Sequence, residues 1–315
     1  MSSFGIQIEP QFGYEFSEIR RIANVALENE FDTVWFSDHF ILNQDATDRI
    51  LLDPWLVMSA LSRENSDIRL GSLVFCNSYR NPALHAKMGA SLDNLSGGRL
   101  EFGIGAGWKE LDYEAYGIEY PDDLTRIEQL GEGIQIIKGA WTEEKFSFDG
   151  KYYSVKNLIS EPKPVQQPHP TIWVGSMTGG DRIVEVAARY GNGLNLAWSF
   201  TPDECQEIFG KMTSMAKTHE RKDELSKSVG LWTRWFKSKQ EMEKKIEEVA
   251  KERNMEVADY RERVSSALWG DTEIIIQRVR EYQEIGVTHF IFMFPYSEEE
   301  SQIQAFGEYV LPAVK

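Results

Sequence analysis

The sequence predicts an α/β fold, a (β/α)8 TIM barrel with insertions, formed by a single domain that spans residues 1–315. Short apolar segments alternate with segments of helical periodicity, which is typical of repeated βα units and a parallel sheet. Eight strands can be counted, and a chain of 315 residues is long enough for one such barrel. The longest insertion is expected between strands four and five.

The predicted strands are short runs rich in β-branched and aromatic residues. In chain order they are residues 4–8, 33–37, 69–75, 99–105, 171–175, 193–198, 229–235 and 288–294. Amphipathic segments between them are predicted as helices. These are residues 15–28, 54–64, 82–95, 123–141, 181–190, 202–217, 240–253 and 271–285. A further helical segment at 257–269 suggests an extra helix or a lid after strand seven.

The interval 108–170 is too long for a plain crossover between strands four and five. Asp149-Gly150 between alternating aromatic residues indicates a β-hairpin, and a proline-rich stretch follows it. We expect this excursion to pack over the barrel mouth.

The composition excludes several classes of function. Lys plus Arg number 34 and Asp plus Glu number 50, which gives a net charge of −16 and disfavours nucleic acid and anionic membranes as partners. Two cysteines and five histidines show no ligand spacing, which disfavours a disulfide framework and a catalytic metal. The N-terminus has neither a basic region nor a long apolar run, so we expect a cytoplasmic protein that acts on a small molecule.

In the segment "TVWFSDHF", the second predicted strand ends at Ser37, and Asp38 and His39 follow it directly. Because active sites of parallel barrels lie at the C-terminal ends of the strands, both residues are expected at the functional rim. The alternative is that Asp38 caps a helix and His39 is a loop histidine. His85, inside a helix, and His289, at the start of strand eight, are expected to be structural.

Two glycine-rich segments border the same rim. The glycines of "GIGAGW" lie on strand four and its exit, where a flat ligand can approach the backbone. The segment "WVGSMTGGD" passes from strand five into a helix, whose N-terminal amides suit a phosphate. The alternative for both is tight packing that requires glycine.

Taken together, four segments resemble the bacterial-luciferase-like flavin and deazaflavin oxidoreductases. They are "SDHF", "LGSLV", "NPALHAKMGASLDNLSGGRLEFGIGAGW" and the stretch from "WVGS" to "GNG". The resemblance runs from about residue 4 to residue 196, and "SDHF" is most similar to the branch that uses coenzyme F420, a deazaflavin that carries hydride at C5. It implies hydride transfer to or from a small organic substrate, an alcohol/carbonyl or an activated alkene, by a homodimeric enzyme.

The resemblance also implies roles for individual residues. His39 would be the catalytic acid/base group and Asp38 would contact the ring region of the cofactor. Leu73 and Val74 match a bulged segment behind the ring, where relatives often have a non-prolyl cis peptide. The remaining cofactor positions are Cys76, Ala106 and Gly107 around the ring, and Gly175, Ser176, Gly179 and Gly180 in a phosphate loop, with Arg182 as a local cation.

Trp108 departs from the pattern of this branch. Its sugar-phosphate dehydrogenases have a glutamate at the matching position, so the resemblance does not support a sugar phosphate as substrate. Trp108, Trp198, Trp232 and Trp235 are candidates for an apolar wall of the pocket, and the alternative is that they pack in the core. Two alternatives stay open, an FMN-dependent monooxygenase that uses molecular oxygen and a flavin-binding barrel without turnover.

Overall fold

A computed structural model describes residues 2–64, 67–221 and 223–315 of the chain. Its strands are β1 (Ser3–Ile8), β2 (Thr33–Phe36), β3 (Arg69–Ser72), β4 (Phe75–Cys76), β5 (Leu100–Gly105), β6 (Phe146–Asp149), β7 (Ser154–Leu158), β8 (Ile172–Ser176), β9 (Gly193–Trp198), β10 (Ser226–Trp235), β11 (Leu268–Gly270) and β12 (His289–Met293). Eight of them pair in parallel in the order β1, β2, β3, β5, β8, β9, β10 and β12, and β12 returns to β1. The predicted (β/α)8 barrel is confirmed.

Helices surround the barrel. They are α1 (Phe16–Glu28), α2 (Pro54–Glu64), α3 (Pro82–Ser96), α4 (Glu110–Tyr116), α5 (Asp123–Thr142), α6 (Asp181–Tyr190), α7 (Pro202–Thr218), α8 (Lys239–Glu252), α9 (Val257–Arg263), α10 (Thr272–Glu284), α11 (Glu299–Tyr309) and α12 (Leu311–Val314). The sequence pattern did not predict α4, α11 or α12. Within the described ranges, no helix combines the length and the apolar character needed to cross a membrane.

The segment 257–269 was predicted as one helix, and this is wrong beyond Arg263. Leu268–Gly270 forms β11, which pairs with the end of β10. Leu268 is buried, and the Trp269 ring packs 5.6 Å from the ring of Phe236. Burial against β10 therefore decides the conformation where local propensity favours a helix.

The third predicted strand, 69–75, is divided. β3 ends at Ser72 and β4 begins at Phe75, and the intervening Leu73–Val74 peptide is cis, as the resemblance implies. β4 continues along β5, where Phe75 lies opposite Ile104. This division brings Leu73 and Val74 to the inner face of the barrel mouth.

The hairpin predicted at Asp149-Gly150 is present as β6 and β7, and its tip is held on α5. The Glu132 carboxylate on α5 accepts hydrogen bonds from the backbone amides of Lys151, Tyr152 and Tyr153, at 2.6, 2.9 and 2.9 Å. Asn77 donates a further hydrogen bond to the Tyr153 hydroxyl at 3.1 Å. These contacts hold the hairpin against α5, and the short helix α4, which belongs to the same excursion, reaches the mouth, where Asp112 contacts His39.

His85 and His289 are structural, as expected. His85 is fully buried in α3, where its ring lies 6.0 Å from that of Phe75, and burial lowers its pKa to about 3. The imidazole is therefore neutral at physiological pH. His289 begins β12 at the opposite end of the barrel from the mouth, and its ring lies 4.6 Å from that of Trp173.

Candidate active site

A cavity of about 750 Å³ opens at the C-terminal ends of the barrel strands. This volume is in the range of small-molecule sites. Most of the predicted site residues border the cavity, whereas Gly179 and Gly180 do not. Those that do are Asp38, His39, Leu73, Val74, Cys76, Ala106, Gly107, Gly175 and Ser176.

His39 is oriented by a buried carboxylate. Its Nδ1 lies 2.7 Å from Oδ2 of Asp112, a residue of α4. Since an ionised carboxylate can only accept, Nδ1 carries a hydrogen and Nε2 is the ring nitrogen left to exchange a proton. The His39 side chain is 17% exposed and borders the cavity, so Nε2 can meet a bound molecule.

The Asp112 carboxylate is held ionised by several donors. Burial alone would raise its pKa, but the hydrogen bond and charge interaction with His39, the charge of Lys109 and the Ile41 amide together outweigh burial, so that the pKa lies below its usual range. Asp112 Oδ1 accepts from the amides of Ile41 at 3.1 Å and Phe40 at 3.3 Å, and Oδ2 accepts from the Tyr79 hydroxyl at 3.0 Å. The carboxylate therefore has a fixed position and a fixed charge.

Asp38 forms a second, separate carboxylate site. Its Oδ2 accepts from Arg80 Nη1 at 2.7 Å and from the Cys76 amide at 3.1 Å, and Arg80 also pairs with Asp53 at 2.7 Å. Burial raises the pKa of Asp38, and the charge of Arg80 works against that rise. Asp38 Oδ1 is buried and has no hydrogen-bond partner among the described residues. It is thus an acceptor available to a ligand.

Leu73 and Val74 form an apolar surface of the cavity that depends on neighbouring glycines. A Cβ atom on Gly105 would lie 2.7 Å from Val74 Cγ2, and one on Gly175 would lie 2.6 Å from Val74 Cγ1. Only glycine leaves room for this bulge of strand three into the barrel. The glycines of strand four were predicted to let a ligand approach the backbone, and the structure shows that Gly105 is needed to make room for Val74.

Cys76 lines the cavity as a thiol. Its Sγ lies 3.1 Å from the Tyr113 hydroxyl, and burial raises its pKa to about 12. A thiol with this pKa is a weak nucleophile at neutral pH. Gly107 has φ +83°, and a Cβ there would lie 2.6 Å from Cys76 Sγ, so that Cys76, Ala106 and Gly107 form one closely packed edge.

The predicted phosphate loop connects β8 to α6 and uses some of its own donors. Ser176 Oγ accepts from the amides of Gly179 at 2.9 Å and Thr178 at 3.3 Å. Gly179 has φ +63°, and a Cβ there would overlap Ile208. Glycine at this position is therefore required by the backbone and by packing, whatever the loop binds.

Arg182 lies away from the cavity. It borders a second, shallower groove of about 610 Å³ between α5 and α6, together with Glu128 and Glu185. The pKa of the Glu128 carboxyl is lowered mainly by its hydrogen bonds with Lys151 and Tyr152, and the charge of Arg182 adds to this effect. Like Gly179 and Gly180, Arg182 does not border the cavity, and its role as a local cation for the phosphate stays a prediction.

Trp198 and Trp232 form a tryptophan wall, with their ring centroids 5.9 Å apart. Since β9 is four positions from β2 in a ring of eight strands, Trp198 lies across the mouth from His39. Trp235, predicted for the same wall, is instead outside the cavity, where it stacks on Tyr309 at 5.3 Å. Side chains alternate along a strand, and β10 places Trp232 and Trp235 on different faces.

Trp108 borders the cavity on the same side as His39. The two rings meet edge to face with their centroids 5.5 Å apart, and the indole is 56% exposed. The tryptophan therefore supplies an apolar surface beside the imidazole.

Sequence reasoning missed several polar residues of the site, of which four bear most directly on its chemistry. Asp112 and Arg80 hold the two predicted residues, while Glu9 and Asn195 border the cavity directly. Arg80 and Glu9 follow predicted strands, and their position after a strand end could have indicated that they belong to the active site. Asp112 lies in the unpredicted helix α4, and Asn195 lies within β9, so neither stood at a predicted strand end.

Comparison with known proteins gives consistent matches. The model of a family described as luciferase-like monooxygenase matches residues 2–289. The F420-dependent glucose-6-phosphate dehydrogenase of Kineococcus radiotolerans is 33% identical over 181 residues, 55% of this chain and 51% of that protein. The protein of the same name from Amycolatopsis mediterranei is 25% identical over 318 residues, 92% of each chain.

Two further matches show the breadth of these relatives. The FMNH(2)-dependent dimethylsulfone monooxygenase of Pseudomonas putida is 30% identical over 203 residues, 62% of this chain and 46% of that protein. Among solved structures, an F420-dependent secondary alcohol dehydrogenase in complex with an F420-acetone adduct superposes with a TM-score of 0.83 at 19% identity. The superposition covers 100% of this chain and 99% of the dehydrogenase, and it shows a shared fold.

Proposed function

The chain belongs to the luciferase-like monooxygenase family, and from that premise we propose that it is a coenzyme F420-dependent oxidoreductase. The proposed reaction is hydride transfer between the deazaflavin and a small organic substrate, an alcohol/carbonyl or an activated alkene. The F420-dependent relatives support the cofactor. The observation that carries the proposal is His39, oriented by Asp112, at the rim of a cavity with one apolar surface.

When bound, the deazaflavin accepts or supplies hydride at C5. Oxidation of an alcohol also releases a proton, and reduction of a carbonyl consumes one. His39 Nε2 is assigned this proton, which it takes from or returns to the substrate oxygen. Asp112 keeps the hydrogen on Nδ1 and stabilises the imidazolium that forms when Nε2 is protonated.

The residues of the cavity fit a flat, polar-edged cofactor. Leu73 and Val74 supply an apolar surface for a ring system. Asp38 Oδ1 and Asn195 Oδ1 are buried acceptors without a partner among the described residues, and a ligand N–H or hydroxyl would satisfy each. We assign Cys76, Ala106 and Gly107 to the edge of the ring. The phosphate is assigned to the loop of Gly175, Ser176, Gly179 and Gly180, which opens α6.

Fluorescence titration with F420 and with FMN tests the assignment. We expect F420 to bind at least tenfold more tightly, a difference of about 1.4 kcal/mol. A tenfold preference for FMN would overturn it in favour of the second candidate, an FMN-dependent monooxygenase, which the Pseudomonas putida relative supports. Anaerobic assays of the F420 complex with a panel of alcohols, aldehydes and activated alkenes test turnover. No turnover across the panel would favour a non-catalytic flavin-binding barrel.

We also propose that the enzyme is a cytoplasmic homodimer. Leu56 on α2 and Leu84 on α3 are 72% and 57% exposed, which supports an interface on these neighbouring helices. Light scattering should give the mass of two chains for the wild type and of one chain for a Leu56→Glu/Leu84→Glu variant. A wild-type mass of one chain would contradict the proposal.

A further inference from the structure

Glu9 is a buried carboxylate at the rim of the cavity. It directly follows β1, and it is only 8% exposed. Its Oε1 accepts from Gln7 Nε2 at 2.8 Å, and its Oε2 accepts from Gln11 Nε2. Both donors are neutral amides, and in the part of the chain that the structure describes no cation forms an ion pair with Glu9. Burial of a carboxylate without an ion pair is costly, so its position calls for a functional explanation.

The cations that border the cavity are already bound. Lys109 Nζ donates to the carbonyl oxygen of Ile41 and lies 3.7 Å from Asp112 Oδ1. Burial lowers the pKa of Lys109, and the charges of Asp112 and Glu9 work against this, so Glu9 lies near enough to act on the ammonium.

Arg126 is held in the same way. It donates to the carbonyl oxygens of Gly107 and Pro121 and pairs with Asp123. Its guanidinium therefore has internal acceptors. A substrate anion would compete with these internal acceptors for Lys109 and Arg126, and it would meet the charge of Glu9.

Glu9 lies beside the proton-transfer group. Ile8 pairs with Phe36 in the barrel, so Glu9 is next to Ser37 on the neighbouring strand end. Ser37 Oγ donates to Gln11 Oε1 at 2.7 Å, which joins the two strand ends in one polar network. His39 follows two residues later. Each oxygen of Glu9 retains acceptor capacity after its bond to a glutamine amide.

We propose that Glu9 is a substrate-binding residue that accepts a hydrogen bond from a hydroxyl or ammonium group and selects neutral or cationic substrates over anionic ones. That the bound molecule is a substrate rests on the proposed function. The tryptophan wall receives the apolar part of the same molecule, while Glu9 and His39 receive its polar end. At this polar end of the cavity, phosphate esters and carboxylates are disfavoured by repulsion from Glu9, while Lys109 and Arg126 are already engaged with internal acceptors.

Three ligands of similar shape test this selection. They are cyclohexylmethanol, cyclohexylmethylamine, which is cationic at neutral pH, and cyclohexanecarboxylate. Dissociation constants are measured by calorimetry on the protein saturated with its cofactor and again without cofactor. We expect the amine and the alcohol to bind at least about tenfold more tightly than the carboxylate. This ranking needs no variant, so it does not depend on how well a variant folds.

Glu9→Gln keeps the size and the hydrogen-bonding capacity of the side chain but removes its charge. It should reduce the preference for the amine over the carboxylate about tenfold and change alcohol binding less than about threefold. Glu110→Gln, an equal change of charge at an exposed position on the same rim, is the matched control and should preserve the wild-type ranking.

Carboxylate binding as tight as alcohol binding in the wild type would overturn the proposal, as would no alcohol or amine binding up to the solubility limit. An unchanged ranking in Glu9→Gln would also overturn it. These outcomes are distinct from failure of the proposed function, because the measurement without cofactor is independent of the choice between F420 and FMN.

Discussion

The two sides of the cavity differ in how firmly their side chains are held. On the β2 side, His39 is fixed by Asp112, and Asp112 is fixed by backbone amides and by Tyr79. On the opposite side, Trp232 is 43% exposed, and no hydrogen bond of the described residues engages the indole of Trp198 or Trp232. Proton transfer needs fixed geometry, whereas apolar recognition tolerates adjustment. Under the proposed function, proton transfer therefore belongs to the β2 side, and contact with the apolar part of the substrate belongs to the tryptophan wall.

The strongest test of this comparison is His39→Ala. Turnover should fall by roughly 10²- to 10⁴-fold, the usual contribution of a positioned acid/base group. Cofactor affinity should stay nearly intact, because the imidazole is needed in the transition state rather than for binding. Asp38→Ala should show the opposite pattern and act mainly on cofactor binding. Wild-type turnover by His39→Ala on an established substrate would make His39 a loop histidine.

Asp112→Asn should have the next largest effect, a loss of turnover of about 10- to 100-fold with little change in KM. The asparagine amide would donate where the carboxylate accepts, so the hydrogen of neutral His39 should move from Nδ1 to Nε2. The ¹⁵N chemical shifts of the His39 ring report this change directly. Unchanged chemical shifts together with reduced turnover would show that Asp112 supports the structure of the site and does not set the position of the hydrogen on His39.

Substitution of the tryptophan wall should mainly affect substrate binding. Trp232→Leu is expected to raise KM about tenfold, because an apolar aromatic contact of about 1 to 2 kcal/mol is lost, and to leave cofactor affinity unchanged. Trp235→Leu is the matched control from the same strand. Its ring stacks on Tyr309 outside the cavity, so this variant should lose stability but keep the wild-type KM. Equal KM values for Trp232→Leu and Trp235→Leu would contradict the role of the tryptophan wall in substrate binding.

The smallest expected effect is the pH dependence of stability that Asp112 contributes. Its pKa in the folded protein lies below the usual value, so its stabilisation is fully present above the unfolded pKa of about 4. That stabilisation is lost as the pH falls through the lower folded value. Urea unfolding should therefore show Asp112→Asn less stable than wild type by about 1 to 3 kcal/mol at pH 7. The difference should narrow at about pH 3, and a constant difference would contradict the assigned ionisation.

The strands were predictable because burial on both faces of a parallel barrel leaves uninterrupted apolar runs in the sequence. The position of His39 followed from the same pattern, since strand ends mark the rim. The position of its partner Asp112 could not be predicted in this way. Asp112 lies 73 residues away in a short helix, and no local sequence pattern relates it to His39.

Contacts made in the tertiary structure explain the other differences. The turn at Asp149-Gly150 encodes a hairpin, but its docking on α5 depends on the Glu132 carboxylate, which a local pattern does not reveal. In the same way, Trp232 and Trp235 are equally aromatic in sequence, and only the twist and pairing of β10 decide which of them borders the cavity.

The attachment of the hairpin by one carboxylate bears on how such insertions can be exchanged between relatives. Glu132 belongs to α5, whereas the three amides that it binds belong to the hairpin tip. A transplanted hairpin without its own helix would leave those amides without their acceptor, and Asn77, next to Cys76 of the cavity edge, would lose the Tyr153 hydroxyl. The unit of modular exchange is thus helix and hairpin together.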